Sequence, residues 1–142
     1  MMRRLLCLLS LLLATVAAPA QTADDTLYRA LGAQDGISAL MLDFVARLKT
    51  DARIGHFFKD TNAKYLAEQL RDQVCELAGG PCRLDGPSMK KAHEDMKIGS
   101  ADFNRLVELL QQAMEQRGLP FGVQNRLLAR LAPMHREIVN QP

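Results

Sequence analysis

The sequence contains no tryptophan and only two tyrosines, and aromatic residues make up 5% of its 142 positions. A surface that stacks on nucleic-acid bases needs aromatic rings set among clustered basic residues. No such block occurs, so a nucleic-acid partner is not expected. Histidine and cysteine are equally sparse, three of each. A metal held by protein side chains alone needs several converging donors at characteristic spacings. Cys7, Cys75 and Cys82 form no CxxC motif, and His56, His93 and His135 are far apart in sequence. A zinc hydrolase or a multi-histidine iron centre is therefore not expected either.

A long apolar run is also missing. The longest, Leu5 to Ala18, covers 14 residues, short of the roughly 20 needed to span a bilayer. With Arg3-Arg4 before it and Ala18-Pro19-Ala20 after it, it has the charged, greasy and small-residue parts of a secretory signal. Cleavage after Ala20 is expected, leaving residues 21–142 as one periplasmic or secreted domain with no membrane attachment. Cys7 leaves with the signal. Loss of Arg3 and Arg4 brings the 18 basic residues level with the 16 acidic ones, so net charge selects no partner. Export also places Cys75 and Cys82 in an oxidising compartment. Seven residues apart, they either close a disulfide or remain two small buried thiols, and spacing alone does not decide between these.

What the chain does have is helical periodicity. Ile37, Leu40, Met41, Phe44 and Leu48 lie on one stripe of a helix opened by Asp35-Gly36. Leu66, Leu70, Val74 and Leu77 stripe a second, from about Ala63 to Ala78, which Gly79-Gly80-Pro81 must stop. Ser100 is placed to cap a third, carrying Phe103, Leu106, Val107, Leu110 and Met114. A fourth carries Val123, Leu127, Leu131, Met134 and Ile138. A short helix near Thr26 to Leu31 precedes them, and Arg53 to Phe58 reads as a tight turn. No strand pattern appears, so the fold class is all-α, with two antiparallel helix pairs. About twenty residues between 79 and 99 lack strong periodicity, long for a connection in a compact domain. A bound cofactor touching Met89, His93 and Ile98 would order them.

Taken together, Phe57-Phe58, the Gly79-Gly80-Pro81 stop, Met89 four residues before His93, Ile98 five after it and Phe103 ten after it resemble the truncated haemoglobins, specifically group I. The likeness runs from about Leu27 to Val139 and includes Gly32 and Gly36. It implies a two-over-two helical sandwich around haem b, iron protoporphyrin IX, with His93 as the proximal iron ligand and Phe58 packed on the porphyrin. It further implies a cofactor site drawn from Phe44, Phe58, Thr61, Leu66, Leu70, Val74, Met89, His93, Ile98 and Phe103, with Leu131 nearby. Oxygen or another diatomic gas such as nitric oxide is the implied ligand, and an electron-donor reductase the implied partner. Nitric oxide dioxygenation and a peroxidase-like side activity both stay open.

The chain departs from the group I pattern on the distal side. Val45 stands where members often carry a tyrosine that hydrogen-bonds bound oxygen, and the facing positions are Leu66 and Leu70. An apolar distal wall is expected, with Gln69, Gln73 and Tyr65 the nearest polar candidates. Leu84 replaces a frequent tyrosine, which leaves Thr61, Lys64, Lys90 and Lys91 to meet the haem carboxylates. The alternative from another class is a cofactor-free secreted helical binding module in which His93 is incidental.

Overall fold

A computed structural model of the protein describes residues 24–141. Residues 1–20, with the expected signal and its cleavage point, lie outside them. Among the described residues all regular structure is helical, and no helix is long and apolar enough to cross a membrane. The helices are α1 (Thr26–Ala30), α2 (Ala33–Thr50), α3 (Ala63–Leu77), α4 (Met89–Ala92), α5 (Ser100–Gln116), α6 (Phe121–Leu131) and α7 (His135–Ile138). Single 3-10 turns at Gly55–Phe58 and Ala132–Met134 complete the set.

The α2 stripe is buried as its period requires: Ile37, Leu40, Met41, Phe44 and Leu48 are each at most 3% exposed. It packs along α3 and against α5, while α6 closes on α1, α3 and α5. Leu110, Ala113 and Met114 of α5 and Leu127 of α6 complete the core. The result is the expected arrangement of two helix pairs.

Three boundaries differ from the sequence reading, each for a local reason. Helix α2 begins at Ala33 rather than Asp35, because Gly32 turns the chain with φ +87° and its carbonyl accepts from the Gly36 amide at 3.0 Å. Gly36 thereby falls within the first turn. The cap of α5 is Gly99, not Ser100, since the Asp102 carboxylate accepts from the Gly99 amide at 2.9 Å and Ser100 becomes the first helical residue. The expected fourth helix is broken into α6 and α7, because Pro133 has no amide to donate and its ring crowds the preceding turn.

The stop after α3 forms as expected. Gly79 adopts φ +85°, and a Cβ there would lie 2.1 Å from the Asp24 carbonyl oxygen. This close approach lets the Tyr28 amide donate to the Ala78 carbonyl at 3.1 Å. Cys75 and Cys82, left open by the sequence, are disulfide-bonded, with their Cα atoms 5.7 Å apart. The bond ties the beginning of the 82–99 segment to the buried end of α3.

Candidate functional site

The helices enclose a cavity of about 550 Å³ between α3, α5 and the 82–99 segment. That is within the roughly 300–1,000 Å³ of ligand-enclosing sites. All ten residues that the resemblance implied for a cofactor site line it, from Phe44 on α2 to Phe103 on α5. Leu131 and Leu84 also face it. The wall is overwhelmingly aliphatic, aromatic and thioether.

One imidazole enters this wall. His93 follows the single turn of α4, and its Nδ1 lies 2.7 Å from the Met89 carbonyl oxygen. A carbonyl can only accept, so Nδ1 carries the proton and donates, leaving Nε2 with its lone pair free. A donor bond of this kind fixes the ring orientation and makes the other nitrogen a better metal ligand. Ser88 starts the α4 turn by accepting from the Lys91 amide at 3.3 Å.

His56 and His135 play no part in the cavity wall. The His56 ring is exposed and packs on Phe57 at 4.1 Å between centroids, and His135 meets the edge of Phe103 at 4.9 Å. Among the described residues no group of three histidine, cysteine or carboxylate side chains is set to hold a metal.

The turn that carries Phe58 is fixed by charge. Lys49 Nζ donates to the carbonyls of Phe58 at 2.7 Å and Thr61 at 2.6 Å. Asp51 accepts from the amides of Arg53 and Ile54 at 3.0 and 3.1 Å, and it accepts twice from Arg105 at 3.0 and 2.7 Å. Hydrogen bonding from the guanidinium holds the Asp51 carboxyl down at about 2, and the same pairing raises Arg105. Phe58 is thus held at the rim by two ionic anchors that the sequence reading did not identify. Their signal is weak in sequence, because each is a lone charge beside a turn.

The distal wall corrects one expectation. Val45 is buried but does not line the cavity, whereas Phe44 does. Successive helical residues are rotated by about 100°, so Phe44 shares the face of Met41 and Leu48 and Val45 falls to the side. Leu66 and Leu70 line the wall as expected, but so do Gln69, Gln73 and Tyr65. Gln73 is only 8% exposed, and its Nε2 has no better acceptors than the sulfurs of Met89 and Met134, each at 3.3 Å. A purely apolar wall is therefore replaced by one with two amides in it. At the rim, Thr61 and the exposed Tyr65 face the cavity, while Lys64, Lys90 and Lys91 do not, and Lys91 pairs instead with Glu94.

Comparison with known proteins agrees with this geometry. The sequence pattern of the bacterial-like globin family matches residues 26–140. A group 1 truncated haemoglobin of Tetrahymena thermophila is 31% identical over 94 residues, covering 66% of this chain and 78% of that protein. One from Synechocystis is 30% identical over 125 residues, covering 82% and 98%. The crystal structure of the Tetrahymena pyriformis truncated haemoglobin in its Fe(III) form superposes with a TM-score of 0.77 at 25% identity, covering 81% of this chain and 98% of that one. None of these likenesses favours a cofactor-free module. Helix order, a walled cavity and a single carbonyl-held imidazole on a one-turn helix coincide with a match over nearly all the described residues, and the chain belongs to the bacterial-like globin family, within its group 1 truncated haemoglobins.

Proposed function

We propose that His93 Nε2 would hold haem b in the 550 Å³ cavity and that the bound group would take a diatomic gas there. The observation that carries this reading is the imidazole itself. It is the one histidine in the cavity wall, and its Nδ1 is already committed to Met89. Bound haem supplies the gas-binding and redox chemistry; the chain sets access, polarity and ligation.

The residues present fit such a group. Phe58 and Phe103 offer flat apolar surfaces, and Leu66, Leu70, Val74 and Ile98 exclude water. Thr61 and Tyr65 are the rim groups that would meet the haem carboxylates. On the α3 wall Gln69 is the residue that would supply an amide donor, whereas the Gln73 amide is turned to the Met89 and Met134 sulfurs. In a low-dielectric pocket such a donor stabilises partial negative charge more than it would in water. The amino-terminal segment directs the chain to the periplasm or the outside, where an electron-donor reductase would be its partner.

The full chain, expressed with its leader and recovered in its processed form, is titrated with haemin beside His93→Ala. Mass spectrometry of the amino terminus reads cleavage after Ala20. Uptake should saturate at one haem per chain, and the ferrous carbon monoxide spectrum should change in the variant. Spectra indifferent to His93 would remove it as the ligand.

A further inference from the structure

The one-turn helix α4 is too short to hold itself. A single hydrogen-bonded turn fixes several dihedrals for one bond, which is unfavourable in isolation. The turn after it is worse placed, because Lys97 sits at φ +55°, a left-handed conformation that L residues rarely adopt. Something outside the segment must hold His93 where it is.

At its beginning the segment is held by the Cys75–Cys82 bond and by the Glu76 carboxylate, which accepts from the Leu84 amide at 3.0 Å. At its end the residues just beyond α7 hold it, and one of them makes most of the bonds. Asn140, just beyond α7, uses its whole amide: Nδ2 donates to the His93 carbonyl at 2.6 Å and to the Glu94 carbonyl at 3.1 Å, while Oδ1 accepts from the Ile98 amide at 2.8 Å. Its backbone amide and that of Gln141 both donate to the Ile98 carbonyl, each at 3.0 Å. These bonds grip the chain on both sides of the Lys97 turn, and they reach the backbone of the imidazole-bearing residue directly.

We propose that Asn140 is a positioning residue for the proximal histidine, clamping the 93–98 turn so that the His93 ring is presented to the cavity in one orientation. This rests on His93 being the haem ligand. The two functions of the amide are separable. Donation sets the His93 carbonyl, and acceptance sets Ile98. Aspartate at this position keeps the acceptor and loses both donors, placing carboxylate charge against two carbonyls.

The test uses the full chain, processed and loaded with haem, as wild type, Asn140→Ala and Asn140→Asp. Haem loss to excess apomyoglobin should quicken about tenfold in both variants, and the iron–histidine stretching band of the ferrous protein should shift in the resonance Raman spectrum. Gly118→Ala, in a loop remote from His93, serves as a destabilised control that should leave the band in place. Haem loss within twofold of wild type with an unmoved band in both variants would overturn the proposal. Amide exchange at Ile98, read without added haem, separates the two readings. It should quicken in Asn140→Ala and stay slow in Asn140→Asp, and unchanged exchange in Asn140→Ala would dismiss the clamp whatever ligates the iron. A wild type whose haem spectra ignore His93 would instead overturn the ligand assignment.

Discussion

Reducing the Cys75–Cys82 bond is a perturbation whose size can be worked out from the fold. The bond closes a loop of eight residues, a separation of seven. In the chain-entropy treatment, closing a loop of this length removes about 8 cal/mol/K from the unfolded chain, equivalent to about 2.5 kcal/mol at room temperature. Unfolding entropy of about 2 cal/mol/K per residue over the described domain gives about 250 cal/mol/K, so the loss converts to a fall in Tm of about 10 °C. Native packing should not soften this, because Cys75 is fully buried and the space beside its sulfur is tight: a Cβ at Gly80, two residues before the partner cysteine, would lie 2.6 Å from both that sulfur and the Tyr28 ring. Differential scanning calorimetry of the haem-free protein with and without a dithiol reads the effect. The Cys75→Ser/Cys82→Ser double variant should match the reduced protein and ignore the dithiol. A Tm shift under about 2 °C on complete reduction, with thiols confirmed by titration, would refute the loop-entropy reasoning for this bond.

Two further outcomes concern stability. Asp51, held at about 2 by hydrogen bonds from Arg105, has a folded-state value below the ordinary 3.8. Its contribution is therefore full above pH 4 and is lost as the pH falls toward 2; Asp51→Asn should flatten the acid limb of Tm against pH below 4, and an unchanged limb would remove the pairing as its cause. Gly79 and Gly118 both have positive φ, +85° and +68°, but a Cβ at Gly79 would strike the Asp24 carbonyl whereas one at Gly118 meets nothing. Gly118→Ala should cost only the conformational penalty of about 1 kcal/mol, and Gly79→Ala clearly more, since backbone must also move. Equal costs in urea denaturation would deny the close approach.

Parts of the site were legible because they repeat or punctuate locally. The α2 stripe is visible at helical spacing, and Gly79-Gly80-Pro81 announces the stop of α3 whatever lies nearby. Asp102, three residues after Gly99, could have pointed to the true cap of α5, and Pro133 to the break before α7. Other parts had no local signature. Nothing around Asn140 marks it as a partner of a residue 47 positions earlier. Whether Gln69 and Gln73 face water or the cavity depends on the rotation of α3 about its axis, where one residue's error turns a side chain by about 100°.

The sequence by itself determined the helical class, the placement of the core stripes and, through the pattern around His93, the family. These rest on backbone preferences and periodicities that act within a few residues. Tertiary structure alone decided that Cys75 bonds Cys82, that Val45 turns aside from the cavity, that two glutamines enter an apolar wall, and that Asn140 holds the histidine turn. Each depends on how distant helices are set against one another, and that is fixed by packing the whole core at once.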